Sequence, residues 1–266
     1  NTRIPIDITA ICTTMIATST AEDVVHWAAQ EYGQDLAVCT SFQKTGAVIL
    51  DMALQVNPKV RVFTLDTGRL PAESYEMIEM IRAHYGIQVE TVSPETGELE
   101  AMVTRHGPNL FLRDPALRML CCKIRKVRPL GRKLKGFRAY MVGLRRGQSA
   151  ARASLPLIDR SSDLVKISPL LDWSRQDIED YIAEHHVPVH PLYARGYTSI
   201  GCGPCTRAPA PGEDERAGRW WWENGMEKEC GIHFTADGRV ERTVDVLLKE
   251  IVDPAEDFDL GFDPGL

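Results

Sequence analysis

Short apolar runs alternate along most of the chain with segments whose apolar residues recur every three or four positions, and the first pattern predicts strands while the second predicts helices. Thr20-Ala-Glu-Asp23 has the character of a capping box, with an acid in place of the usual Glu or Gln. It is followed by Val24, Val25, Trp27 and Ala28 up to Gly33, so a helix is expected to end at that glycine. Residues 35–40 read as a strand, leading through the polar loop Ser41-Phe-Gln-Lys-Thr-Gly46 into a helix over 47–56 that Asn57-Pro58 stops. A second strand spans 60–65 and ends in Asp66-Thr-Gly-Arg69, after which Pro71 suits the first turn of a helix running to Tyr85 and Gly86. A third strand (87–92), a helix near 98–105, strands at 138–142 and near 164–167, and a helix capped by Ser174-x-x-Asp177 complete the series. Strands alternating with helices indicate an α/β fold with a mainly parallel sheet, in which ligands bind at the carboxyl ends of the strands. From Tyr193 onward Gly, Pro, Cys and Trp dominate, which predicts a loop-rich C-terminal arm (193–266) attached to an α/β domain (1–192).

The chain has 266 residues, 44 % apolar and 26 % charged, a balance that excludes a fibrous or globally disordered protein. No apolar run reaches the ~18 residues of a membrane span, and the first residues lack the features of a signal peptide, so a soluble, unexported protein is expected. A net charge of −6 argues against a polyanion, but it hides an asymmetry: residues 113–152 hold 13 Lys and Arg against one acid, Asp114, while 241–266 holds eight acids and two bases. One region therefore faces anions or forms a solvated helix face. Neither a nucleic acid nor a membrane is expected as a partner. Seven cysteines, an odd number in a chain too long to need disulfide staples, fit a reduced, cytoplasmic setting.

Cys121-Cys122 and Cys202-x-x-Cys205 supply four thiolates, enough for a tetrahedral zinc site or a cubane iron–sulfur cluster. Adjacent helical residues point about 100° apart, so a vicinal pair reaches a bulky cluster at a helix end more readily than a small ion, which favours [4Fe-4S]. Lys123, Arg125, Lys126 and Arg128 follow directly, cations that would offset the cluster's negative charge, with Lys126 one turn after Cys122 the best placed. Cys230, in Lys228-Glu-Cys-Gly-Ile-His233, is left over; Lys228 and His233 would lower its pKa while Glu229 opposes them. Ser41-Phe-Gln-Lys-Thr-Gly46 lies where free amides and the helix dipole favour a phosphate or sulfate, or it is an ordinary strand–helix connection. Likewise Asp66-Thr-Gly-Arg69 either merely ends a strand or lets Arg69 grip an anion. In Arg216-Ala-Gly-Arg219-Trp-Trp-Trp222, three consecutive tryptophans cannot share one core, and they suit packing of the arm better than stacking on bases.

Taken in order, Cys121-Cys122, Ile200-Gly-Cys-Gly-Pro-Cys-Thr-Arg207, Arg216-x-x-Arg-Trp-Trp-Trp222 and Lys228-Glu-Cys-Gly-Ile-His233 resemble the assimilatory adenylyl-sulfate reductases, over about residues 22–233. The resemblance implies an adenine-nucleotide α-hydrolase-like, Rossmann-like fold, and a [4Fe-4S] cluster on Cys121, Cys122, Cys202 and Cys205. It implies a catalytic thiol at Cys230 acting with Lys126 and His233, adenosine 5′-phosphosulfate as substrate, thioredoxin as reductant, and sulfite and AMP as products. By the same resemblance Ser41, Phe42, Gln43, Lys44, Thr45 and Gly46 would face the phosphosulfate. Leu65, Asp66, Thr67 and Gly68, with Arg69 beside them, would line the nucleotide pocket, and Gly143 would lie near the adenosine. Lys126, Arg152, Arg216 and Arg219 would surround the phosphosulfate, with Lys126 bridging cluster and substrate. The loop departs from the Ser-Gly-Ala-Glu-Asp of many relatives, and the tail beyond His233 has no family role.

Residue chemistry alone supports the same reaction: a thiolate attacks sulfur, expels AMP and leaves an S-sulfonate that a dithiol protein cleaves, with cations stabilising the leaving phosphate. Competing expectations are a reductase of the 3′-phosphorylated nucleotide, a tRNA-thiolating enzyme, and a non-catalytic iron–sulfur or zinc module. The second needs a Ser-Gly-Gly-x-Asp loop that the chain lacks, and the third leaves Cys230 and the arginines without a purpose.

Overall fold

The computed structural model describes residues 19–223 and 238–252. Helix α1 (Ala21–Tyr32) starts at a reciprocal cap, the Asp23 amide donating to Thr20 Oγ1 at 3.2 Å and the Thr20 amide to Asp23 Oδ2 at 3.0 Å. There follow β1 (Leu36–Cys39), α2 (Lys44–Val56), β2 (Arg61–Leu65), α3 (Ala72–Tyr85), β3 (Glu90–Val92) and α4 (Thr96–His106). Next come α5 (Pro115–Cys122), a π-helical turn (Lys123–Val127), α6 (Arg128–Leu134), β4 (Ala139–Met141), β5 (Ile158–Asp159), β6 (Val165–Ile167), α7 (Arg175–His185) and α8 (Gly238–Val252). No helix among the described residues is long and apolar enough to cross a membrane.

The strands form one sheet in the order β3-β2-β1-β4-β6-β5. β1 pairs in parallel with β2 and β4, β4 in parallel with β6, and the two-residue β5 runs antiparallel to β6. Chain order runs outward from β1 toward β3 on one side and from β4 on the other, so the strand order reverses between β1 and β4, where sheets of this kind open a crevice for ligands. In register, Val38 faces Met141, which brings the ends of β1 and β4 level.

Two compact units share the chain. The described part of the first lies within 19–64, 70–91 and 134–219. Its core places Val24, Val25 and Ala28 of α1, Val48 and Leu50 of α2, and Met77 and Ile81 of α3 against Leu36 and Val38 of β1 and Met141 of β4, all essentially excluded from water. The second takes in 65–69, 92–133 and the described residues from Trp220 onward. Within it α8 packs on α5 and α4, burying Val244 and Ile251, and Arg105 pairs with Glu250 at 2.8 Å.

Most expected elements form, with three differences. α2 begins at Lys44, three residues before the expected Ala47, because the loop ahead of it is held by tertiary contacts. The two-residue β5 carries no strand pattern in the sequence. Within the expected loop-rich arm, 238–252 is helical because Val244 and Ile251, seven apart, fall on one face and find apolar cover.

Candidate functional site

Just past the ends of β1 and β4, Gly46 and Gly143 have no room for a side chain. A Cβ at Gly46 would meet Thr40 Oγ1 at 2.3 Å, and one at Gly143, just past β4, would meet the Gly46 nitrogen and the Thr45 carbonyl carbon at 2.7 Å. Thr45 Oγ1 fastens this approach by donating to the Gly143 carbonyl at 2.8 Å. Phe42 adopts a φ of 55° with its ring buried and its amide bonded to Thr40 Oγ1 at 2.9 Å. Such a conformation costs a residue with a Cβ roughly 1–2 kcal/mol and persists only where its surroundings fix it, as functional loops do.

The loop's side chains divide their work. Ser41 is exposed and its hydroxyl accepts from Gln43 Nε2 at 3.0 Å, while Gln43 Oε1 accepts from the Ile200 amide at 2.7 Å. Lys44 pairs with Glu179 of α7 and lies 4.8 Å from the Tyr193 ring centre; its amide donates to the Tyr193 hydroxyl at 3.3 Å. The lysine's charge is thus answered by α7. Burial pushes the Tyr193 hydroxyl well above the usual phenol range, so it remains protonated. Nearby His190, 1 % exposed, faces Ser74 Oγ at 3.0 Å and accepts from the Leu192 amide at Nδ1; burial holds its pKa below the ordinary value, against an opposing push from Glu73.

Beyond Gly143, Arg152 is buried and bonds to Gln148 Oε1. The neighbouring Arg145 is also buried, donating to the Trp173 carbonyl at 3.3 Å and lying 3.7 Å from Glu215. Arg145, Arg146, Trp173, Ser174, Arg175 and Glu215 bound an open cavity of about 510 Å³.

Cys202 and Cys205 are each 9 % exposed, in a 3₁₀ turn (Gly203–Cys205) closed by the Cys205 amide donating to the Cys202 carbonyl at 2.9 Å. Arg219 wraps this turn: Nη1 donates to the Ile200 carbonyl at 3.2 Å and Nε to that of Cys205 at 3.4 Å. A Cβ on Gly201 would lie 2.2 Å from Arg219 Nη2, so the glycine admits the guanidinium. Arg216 Nη1 reaches Ser199 Oγ at 3.5 Å.

In the second unit, Asp66 Oδ1 accepts from the Gly68 amide at 2.8 Å and Thr67 Oγ1 from that of Arg69 at 3.2 Å, folding the expected turn around Gly68 at a φ of 67°. Buried Arg125 donates to the Thr67 carbonyl at 2.6 Å. The Arg69 guanidinium is engaged with the Pro108 carbonyl, Asn109 Oδ1 at 3.0 Å and the Phe111 ring face. Cys121 and Cys122, 7 % and 9 % exposed, end α5, and the π-helical turn directly after them carries Arg125 and the half-buried Lys126. Such turns recur at functional sites. Trp220 is buried, Trp221 is 41 % exposed, and Trp222 packs on Phe111 with ring centres 5.9 Å apart, so the three tryptophans do face different surroundings.

The expected site residues therefore fall into two sets. Ser41 to Gly46, Gly143, Arg152, Cys202, Cys205, Arg216 and Arg219 belong to the first unit; Leu65 to Arg69, Cys121, Cys122 and Lys126 belong to the second. Cys230, His233 and Lys228 lie outside the described residues. Among the described residues no group of three or more His, Cys, Asp or Glu is assembled that could hold a metal ion. Sequence reasoning missed Tyr193 and Thr40, which act through hydroxyls that carry no motif, and it expected Arg125 only to offset a cluster's charge, not to hold the Thr67 carbonyl.

The profile of the phosphoadenosine phosphosulfate reductase domain matches residues 35–208. The adenosine 5′-phosphosulfate reductase of Allochromatium vinosum is 44 % identical over 200 residues, 74 % of this chain and 78 % of that one. Its namesake from Pseudomonas aeruginosa is 39 % identical over 237 residues, 86 % of this chain and 87 % of that one. Among solved structures, the phosphoadenylyl-sulfate reductase of Candida auris, a phosphate complex, matches with a TM-score of 0.63 at 28 % identity, covering 78 % of this chain and 100 % of that one. Candida glabrata FMN adenylyltransferase matches with a TM-score of 0.51 at 12 % identity over 91 % of this chain and 85 % of that one, a likeness of fold alone.

Proposed function

The chain belongs to the phosphoadenosine phosphosulfate reductase family, and from that premise we propose that it reduces adenosine 5′-phosphosulfate to sulfite and AMP in sulfate assimilation. The observation that carries this reading is the 39–44 % identity to adenosine 5′-phosphosulfate reductases of a chain that holds two buried cysteine pairs and a strand-to-helix loop suited to an anion. The loop offers the Thr45 and Gly46 amides at the start of α2 and the Ser41 hydroxyl to the phosphosulfate, at the point where the strand order reverses.

In this reading the Cys230 thiolate attacks the sulfur of the sulfuryl group. The bond from that sulfur to the phosphate oxygen breaks, AMP departs with the electron pair, and Cys230 carries an S-sulfonate. Lys126, Arg152 and Arg216 stabilise the charge on the leaving phosphate, and His233 keeps the thiol ionised. A dithiol reductant, assigned to thioredoxin, then attacks the Cys230 sulfur and expels sulfite. Its second thiol breaks the mixed disulfide, so the two electrons come from the reductant, which leaves as a disulfide.

Cys121, Cys122, Cys202 and Cys205 are assigned to a [4Fe-4S] cluster. Four buried thiols in two pairs fit the donor chemistry of such a group, and the basic turn at Lys123–Val127 suits its charge. When bound, the cluster supplies electrostatic and positional support to the phosphosulfate. Both the cluster and the reactive thiol require a reducing compartment, which is assigned to the cytoplasm.

The likeness to the Candida auris enzyme makes the 3′-phosphorylated nucleotide the comparison substrate. A charge-assisted contact to the ribose is worth about one to two powers of ten in specificity. Measurement of kcat/KM for both nucleotides with one thioredoxin should favour adenosine 5′-phosphosulfate by that margin; equality, or the reverse preference, refutes the assignment.

A further inference from the structure

We infer that Gln43 is a positioning residue that ties the anion loop to the cysteine turn, so that the two move as one body. Gln43 stands immediately before α2, where Ser, Thr, Asp or Asn would cap the helix, yet its side chain makes no cap bond. The amide is spent at both ends instead. Oε1 takes the Ile200 amide at 2.7 Å, two residues before Cys202, and Nε2 donates to Ser41 Oγ at 3.0 Å. The Ile200 N–H can only donate, so the amide orientation is fixed and Nε2 must face the serine.

Two consequences follow from that orientation. Ser41 Oγ accepts from Gln43, which directs its own proton elsewhere, as a donor suited to a phosphate or sulfate oxygen. Ile200, 5 % exposed, is pinned at both backbone groups, its amide by Gln43 and its carbonyl by Arg219 at 3.2 Å. The Lys44 amide bonded to the Tyr193 hydroxyl at 3.3 Å is a second tie between the same two stretches of chain. An anion drawing on Ser41 therefore acts, through one side-chain amide, on the backbone that carries Cys202 and Cys205. The brace stands on its own geometry; its coupling to substrate rests on the proposed function.

Gln43→Met keeps the length and removes both bonds, whereas Gln43→Glu keeps the acceptor for Ile200 and places a negative charge beside the anion. Hydrogen–deuterium exchange at the Ile200 amide, read at single-residue resolution on the full chain without nucleotide, should quicken about tenfold in Gln43→Met and stay at the wild-type rate in Gln43→Glu. Adding AMP or adenosine 5′-phosphosulfate should slow that exchange in the wild type and leave Gln43→Met unaffected. In turnover, Gln43→Met should lower kcat several-fold, while Gln43→Glu should raise KM with kcat near wild type. Unchanged exchange at Ile200 in Gln43→Met overturns the brace, and so does a rise in KM alone in both variants, the signature of a plain anion contact. If the wild type turns over neither nucleotide, the proposed function fails, while the nucleotide-free exchange still decides the brace.

Discussion

Glu223→Gln removes one charge from a pair almost wholly withdrawn from water. Arg118 and Glu223 have side chains 2 % and 5 % exposed and meet in two parallel bonds, Nε to Oε1 at 2.9 Å and Nη2 to Oε2 at 3.0 Å. The guanidinium also lies 4.8 Å from the Trp220 ring centre. Since Arg118 stands three residues before Cys121 on α5, the pair anchors the helix that presents the vicinal cysteines to the segment 220–223. Breaking one partner of a buried pair costs roughly 3–5 kcal/mol, because the remaining charge has lost its compensation. Glutamine retains one acceptor oxygen, which places the expected loss near the lower end, about 3 kcal/mol. At roughly 2–4 °C per kcal/mol for a chain of this size, Tm should fall by about 6–12 °C. Circular dichroism follows the helices, and tryptophan fluorescence reports on buried Trp220. The double variant Arg118→Met with Glu223→Leu, which removes both charges and keeps apolar volume, should regain most of that loss. A single variant melting within about 2 °C of wild type would mean that water screens the pair and that the anchoring argument is wrong.

Gly143→Ala puts a methyl 2.7 Å from backbone atoms of Thr45 and Gly46, which cannot swing aside, so the anion loop must shift; KM for adenosine 5′-phosphosulfate should rise about tenfold or more with the circular dichroism spectrum intact, and an unchanged KM would remove the loop from substrate binding. His190 is held neutral by burial, its folded pKa below that of the unfolded chain, so its contribution to stability is complete above about pH 6.5 and is lost as pH falls below that value. Wild-type Tm should therefore drop between about pH 7 and pH 5.5 more steeply than that of His190→Asn, and parallel profiles would count against a neutral buried His190. Burial pushes the Cys39 thiol up to about 12, so iodoacetamide at about pH 8 should label it in urea and spare it in the native protein; native labelling would contradict its desolvation.

Elements with chemical punctuation were legible in the sequence. Thr20 with Asp23 and Ser174 with Asp177 form reciprocal caps, and Gly33 and Gly86 end their helices, because those side chains and glycine conformations act within a few residues of where they stand. The start of α2 was not legible because Thr45 is fixed by Gly143, 98 residues away, and no local pattern encodes that bond. β5 is two residues long and exists only by pairing with β6. In 238–252 the spacing of Val244 and Ile251 fits one helical face.

The site divides in the same way. Cysteine pairs announce themselves, since few other roles place two thiols side by side. Arginines do not: Arg69 and Arg219 require acceptors, and the chain supplies carbonyls of Pro108, Ile200 and Cys205 that no motif marks. Gln43 and Ile200 are 157 residues apart, and their bond is visible only once the sheet brings the two stretches together.

The central claim is that Cys230 takes the sulfuryl group from the nucleotide. Wild-type protein incubated with adenosine 5′-phosphosulfate and no dithiol should release about one AMP per chain and then stop, and peptide mass spectrometry should find a sulfonate on Cys230 that thioredoxin removes as sulfite. AMP release without an adduct, or an adduct on any other cysteine, would contradict the account.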